Sequence, residues 1–336
     1  MNRCLLLLSA VVLITIPAVL AEIPSPALLV LNKEGSLALI DPGSGQVLGR
    51  VPTGADPHEV VASSDGKLAF ASNYGSGRPG SEGHTISVID IAAQKEIHRV
   101  DLTPLRRPHG LFFADGKLYF TAESNKAIGR YDPAANKVDW ILGTGQNTTH
   151  MVLLNRDRTM IFTSNIGSDS ISIFQRGSGP DNWNGTVVPV GKGPEGFDLS
   201  PDEKELWAAH SGDGKVSVID LASKKVTGTI DVHTVRSNRL KFTPDGKLVL
   251  ISDLGTGDLL VLDAATRNER KRINLGRGVA GILVTPDSSR AYVAATGDNN
   301  VAIVNLSNLS VEGRLHPGNG PDGMAYLERQ GSPGSH

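Results

Sequence analysis

Lys204-Glu-Leu-Trp-Ala-Ala-His210, Lys215-Val-Ser-Val-Ile-Asp220, Lys225-Val-Thr-Gly-Thr-Ile230 and Asn238-Arg-Leu-Lys-Phe-Thr-Pro-Asp-Gly246 are four short apolar-rich runs in succession. Each is closed by turn residues. Val216, Val218 and Ile219, all β-branched, read as a strand. Thr243-Pro244-Asp245-Gly246 reads as a tight turn: proline presets φ, aspartate bonds its own backbone, and glycine accepts positive φ. Nearly the same sentence recurs from Ala27 onward, so this stretch stands for the whole chain.

The recurrence has a period. The second apolar run of each unit ends at Asp41, Asp90, Asp132, Gln175, Asp220, Asp263 and Asn305, at intervals of 49, 42, 43, 45, 43 and 42 residues. A four-stranded antiparallel meander with short hairpins consumes roughly 40–45 residues. Radial repetition of such sheets gives a propeller. The expected fold is therefore all-β: a seven-bladed β-propeller of four-stranded antiparallel blades. The first unit lacks its innermost strand and the chain ends on a spare one, Asp322 to Leu327. That C-terminal strand is expected to complete the first blade and close the ring, which removes an exposed sheet edge. No stretch of useful length after residue 21 shows a helical period.

Composition narrows the function classes. The 336 residues carry 33 Lys plus Arg against 35 Asp plus Glu, a formal charge of −2. This balance offers no electrostatic footprint for nucleic acid. Arg3, the apolar run Leu5 to Leu20 and Val19-Leu20-Ala21 read as a secretory leader over residues 1–21, cleaved before Glu22. The run is shorter than a membrane span and contains Pro17. Cys4, the single cysteine, leaves with the leader. The expectation is a periplasmic or secreted monomer without disulfides and without a span in the mature chain, with the propeller over 22–328 and a loose tail over 329–336. Two insertions, Tyr74 to His84 and Arg176 to Asn184, enlarge surface hairpins. The first leaves a strand end near the pore mouth, where it can overhang a binding site.

The repeated Asp-Gly-Lys-Leu-x-Phe-x-x-Asn … Ile-Ser-Val-Ile-Asp sentence resembles the YVTN-type, or YncE-like, seven-bladed propellers over Ala27 to Leu327. Asn73-Tyr-Gly-Ser-Gly is also similar to a phrase of the seven-bladed lactonases. The resemblance implies the propeller architecture. It leaves activity open, since such proteins include binding proteins, enzyme-attached propellers and metallo-enzymes.

Residues entering the innermost strands are expected to point into one ring: His58, His109, His150, Glu195, Asn238, Ala280 and Asp322. The ends of the next strands, Asn73, Glu123, Asn165, His210 and Asp253, are expected just outside it. Imidazoles and carboxylates on neighbouring strands are ligand types for a divalent metal ion. The expected assignment places a metal on His58, His109 and His150, catalytic general-base roles on Glu195 or Glu123, and ligand contacts on Asn73, Asn165, His210, Asn238 and Asp322. The alternative for each histidine is a buried imidazole that satisfies a neighbouring blade's backbone. Three functions follow: a binding module for a small molecule or protein at the channel mouth, a metal-dependent lactonase-like hydrolase or lyase, or an envelope scaffold. No nucleophile elbow, phosphate loop or haem-attachment motif is present.

Overall fold

The computed structural model describes residues 26–328 apart from Gly77, Pro79 and Pro180. The expected leader (1–21) and the whole of the expected tail (329–336) lie outside the described residues. The chain forms seven four-stranded antiparallel sheets arranged as blades of a ring. The innermost strands are Pro57–Ala62, Pro108–Ala114, Thr149–Leu154, Pro194–Leu199, Ser237–Phe242 and Val279–Val284 in blades 2 to 7. The innermost strand of blade 1 is Pro321–Leu327, which pairs antiparallel with Ala27–Asn32. The ends of the chain thus share one sheet, as the sequence predicts.

Burial explains the sequence pattern strand by strand. The second strands are covered on both faces and read as continuous apolar runs, as in Ala27–Asn32, where every residue is buried. The outermost strands are mostly exposed and polar, as in Lys95–Asp101, which blunts the outer edge against pairing with other chains. The apolar core is divided into seven clusters, each spanning two adjacent blades. One joins Phe70 and Ile86 of blade 2 to Leu111 and Phe120 of blade 3. Another joins Trp207 and Val218 to Val249 and Ile251.

The turns carry the expected chemistry. Thr243 Oγ1 donates to Asp245 Oδ1 at 2.6 Å, and Gly246 takes φ +71°. The aspartates ending the third strands cap the next turn, as where Ala93 N–H donates to Asp90 at 2.8 Å.

Every innermost strand begins with a β-bulge. In blade 2, Pro57 pairs with Asn73 and Val60 with Ala71, so His58 and Glu59 face a single partner. The same shift follows Pro108, Thr149, Pro194, Ser237 and Val279, and recurs in the closing strand. A bulge re-aims the side chain it carries. Here it turns the first bulged residue into the channel. Hydroxyls of the second strand recover the lost pairing: Gly110 N–H donates to Thr121 Oγ1 at 2.9 Å, and Thr121 donates on to the His150 carbonyl of the next blade at 2.7 Å.

At the second bulged position, four blades carry glycine: Gly110, Gly196, Gly281 and Gly323. A Cβ at Gly281 would fall inside the radius of the Asp322 carbonyl oxygen, and one at Gly196 would strike the Arg239 backbone. Inner strands therefore meet backbone to backbone around the channel. Gly281→Ala is expected to destabilise the fold by about 2 kcal/mol through overpacking. Gly313→Ala, where a Cβ meets only ordinary contact, is expected to stay near neutral. Urea unfolding of both variants checks this.

Candidate functional site

Two residues from each blade converge on a cavity of about 510 Å³ at one mouth of the channel. The inner set is His58, His109, His150, Glu195, Asn238, Ala280 and Asp322, all from the bulges and all lining the cavity. The outer set follows the residue that pairs with each bulge entry: Lys33, Tyr74, Glu123, Ile166, Ser211, Leu254 and Thr296.

The outer set corrects the sequence expectation by one position. Asn73, Asn165 and His210 turn back into the protein and are buried there. Asn73 accepts from Gly54 N–H at 2.9 Å and donates to Thr85 and Ser87. Asn165 donates to Ser170 and Ser172, and His210 pairs with Asp213 at 2.9 Å. Asp253 likewise accepts from the Val235 and Arg236 backbone. Side chains alternate along a strand, so the next residue takes the opposite direction. Glu123 lines the cavity because the first hairpin of blade 3 is shorter: Ala114 pairs with Lys117 there. The pairing partner of Pro108 is Ala122, and Glu123 occupies the place of Tyr74.

A chain of polar contacts runs along blades 1 to 4. Tyr74 donates its hydroxyl to Glu123 Oε2 at 2.6 Å, and Glu123 Oε1 accepts from His150 Nδ1 at 2.5 Å. His150 therefore keeps Nε2 as its unused nitrogen, 4.0 Å from Glu195 Oε1. Its ring packs on His109, with centroids 3.7 Å apart. His109 Nε2 lies 3.1 Å from His58 Nδ1. His109 Nδ1 and His150 Nε2 are buried without a partner, as is Asp322 Oδ1. Histidine and carboxylate donor atoms of His109, Glu123 and His150 lie within 4.8 Å of one another. In this group Glu123 takes the place that the sequence gave to His58, which instead contacts His109 and approaches Asp56 at 3.4 Å.

The charges are unevenly balanced. Asp322 is paired with Lys33 at 3.1 Å. Arg239, buried, reaches across the channel from blade 6 to Glu59 of blade 2 and bonds its carboxylate. Glu123 and Glu195 contact only Tyr74, His150 and Asn238, whose amide donates to Glu195 at 2.5 Å. Neither carboxylate thus has a lysine or arginine bonded to it, although the buried Arg239 charge acts on Glu195 through space.

Burial, helped by the imidazoles of His150 and His58, holds His109 well below the ordinary histidine range. Burial opposes the charge on Glu123, but His150 and the Tyr74 hydroxyl outweigh it and keep the carboxyl below its usual value. Burial and then the Glu123 charge push the Tyr74 phenol up, so it stays a donor. Asp322 is also held low: Lys33, Arg239 and His58 overcome its burial.

Lys33, Tyr74, Glu59 and Arg239 were not identified from sequence as site residues. Tyr74 opens the glycine-rich insertion and Arg239 follows Asn238, which were the available signals. Nothing local marks Lys33 or Glu59. Among the described residues no helix is long and apolar enough to cross a membrane.

No family model matches the chain, and no curated protein matches it in sequence. Solved structures share the fold. The periplasmic gluconolactonase of Pseudomonas aeruginosa is 16% identical, with 90% of this chain and 99% of that one covered and a TM-score of 0.74. A candidate 6-phosphogluconolactonase from Bacteroides fragilis is 15% identical over 93% of this chain and 100% of its own, with a TM-score of 0.76. A chain of Kuenenia stuttgartiensis hydrazine synthase is 19% identical over 82% of this chain and 90% of its own, with a TM-score of 0.69. At identities this low the likeness is one of fold alone.

Two predictions follow from the electrostatics. The unfolded chain takes up a proton on residue 109 near pH 6.5, whereas the folded chain resists it. Stability therefore falls as pH drops below about 6.5, by up to about 1.4 kcal/mol per pH unit for this group. In metal-free protein, His109→Gln is expected to flatten the unfolding free energy between pH 6.5 and 5; unchanged slopes contradict the assignment. Glu59→Ala removes the carboxylate bonded to the buried Arg239 guanidinium, leaving only the more distant Asp322 and Glu195 charges, and is expected to cost about 3 kcal/mol, with much of it recovered in the double variant Glu59→Met/Arg239→Met. Chemical denaturation of the single and double variants reads this directly.

Proposed function

We propose that this chain is an exported propeller that binds a divalent transition metal ion and, beside it, a small molecule in the channel-mouth cavity. The supporting observation is the group of His109, Glu123 and His150, three buried residues whose donor atoms lie within 4.8 Å of one another and whose carboxylate has no lysine or arginine bonded to it. A divalent ion would take the place of the proton that His150 Nδ1 and Glu123 Oε1 share and would accept the lone pairs of both. His109, Glu123 and His150 are its proposed ligands. Two nitrogens and one oxygen suit zinc or a neighbouring first-row ion, and three protein ligands leave a position open towards the cavity. Asn238 and Asp322 are the proposed contacts to the small molecule, and Tyr74 fixes Glu123.

A second reading makes the protein a hydrolase or lyase of lactone type. It draws on the Glu123–His150 contact, which orients one imidazole by its Nδ1 and leaves Nε2 beside Glu195. In that reading Glu195 removes a proton from water, and a bound metal ion would supply Lewis acidity towards a carbonyl. The names of the gluconolactonase-like neighbours are compatible with it.

Metal analysis of purified mature protein tests the first reading. One equivalent of metal is expected in the wild type and in His233→Ala, a surface control, with loss in His109→Ala and in Glu123→Gln. Absence of metal uptake by the wild type after incubation with zinc, manganese and nickel would sink it. Hydrolysis of a lactone and ester panel by the metal-loaded protein, abolished in Glu195→Gln, distinguishes enzyme from binding module.

A further inference from the structure

A third set of seven residues forms the rim of the mouth. In each blade the carbonyl two residues before the inner-set residue accepts the N–H of the outer-set residue, at 2.8–3.3 Å. Six of these rim residues, from Asp56 at φ +43° to Gly320 at +67°, are left-handed; Arg236 of blade 6 is not. Its loop takes another route. The buried Asp253 carboxylate accepts the Val235 and Arg236 N–H groups, each at 2.8 Å. The Arg236 backbone is thereby fixed, and the residue lines the cavity. Among the described residues no acceptor takes its guanidinium, which is bonded neither to a carboxylate nor to a carbonyl.

Blade 7 stands between blades 6 and 1. It offers the smallest inner-set residue, Ala280, and a glycine, Gly278, at the rim. Three basic side chains flank the space this leaves: Arg236 and Arg239 from blade 6 and Lys33 from blade 1. Two carboxylates answer them, since Glu59 bonds Arg239 and Asp322 bonds Lys33. Arg239 and Asp322 act on one another's charge from either side of blade 7. One positive charge, that of Arg236, is left over. The His109–Glu123–His150 group lies on blades 3 and 4, across the ring.

We infer that the ligand is a small dicarboxylate, with one carboxylate over Ala280 between Arg236 and Lys33 and the other at the open metal position. The second contact rests on the metal reading above; the first does not. An ammonium has three N–H groups, so Lys33 can hold Asp322 and a ligand oxygen together. Arginine meets a carboxylate through two parallel N–H bonds. A carboxylate carries the single charge that balances Arg236, whereas a phosphate carries nearly two.

The test is calorimetric titration of zinc-loaded protein with aliphatic dicarboxylates from malonate to adipate, and with monocarboxylates of equal length. The best dicarboxylate is expected to bind about tenfold or more tightly than its monocarboxylate counterpart. The preference should vanish in Arg236→Gln and survive in Lys271→Gln, which removes an exposed cation from the outer strand of the same blade. Ala280→Asp supplies an internal carboxylate where blades 6 and 1 carry Asn238 and Asp322, and should also abolish it. Zinc content reports whether each variant is folded. Equal affinity of the two series in the wild type, or a preference that outlasts Arg236→Gln, overturns the inference and leaves the metal reading standing. Tighter binding of the matching phosphono acids overturns the carboxylate assignment. If the wild type takes up no zinc, the metal reading and the second contact fall together. The first contact is then read from butyrate binding to metal-free protein, and it falls too if Arg236→Gln binds butyrate equally.

Discussion

A blade of this protein is apolar on both faces, so no blade can be stable alone. Each face is covered only by the next blade, and the seven inter-blade clusters form an unbroken circuit. The circuit depends on one join: the pairing of Pro321–Leu327 with Ala27–Asn32. Without it, blade 1 would lack its inner strand, and the last link between blades 7 and 1 would lose Met324 and Tyr326. Repeat arrays left open need capping units at their ends. This chain caps itself by meeting its own beginning.

The same geometry makes the site. Inner strands crowd at the axis, where Gly110, Gly196, Gly281 and Gly323 allow backbone contact. The bulge beside each close approach throws one side chain into the channel. The long side chains of Glu59 and Arg239 meet across the axis, and Arg239 lines the cavity. Carboxylates and imidazoles concentrate on blades 1 to 5, where burial lowers the proton affinity of His109 and where Glu123 and Glu195 have no lysine or arginine bonded to them. Local stability is given up at this mouth and recovered in the clusters between blades.

The fold was legible because period, turn chemistry and strand patterning all agree. The inner ring was legible for a related reason: the entry phrase of each blade, such as Asp56-Pro57-His58 or Gly193-Pro194-Glu195, marks the bulge. The outer ring was not. Asn73, Asn165 and His210 look like a row of functional residues, but they bond backbone, hydroxyl and carboxylate groups within the fold. A strand has a period of two, so an alignment slip of one residue exchanges the cavity for the interior. Glu123 was found only because the shorter hairpin of blade 3 displaced the alignment in the opposite sense. The Glu59–Arg239 pair was invisible for a different reason: its members are 180 residues apart, and only ring closure brings them together.

The bulges also separate direction from identity. Fourteen positions, two per blade, have their orientation set by backbone pairing, while their side chains range from Ala280 to Tyr74 and Lys33. Any of them can be exchanged with little change to the strands that carry it. The mouth of this ring is thus a set of sockets of fixed aim. Seven copies of one structural sentence can diverge one residue at a time, and the chemistry of the pore can be rewritten while the architecture stays constant.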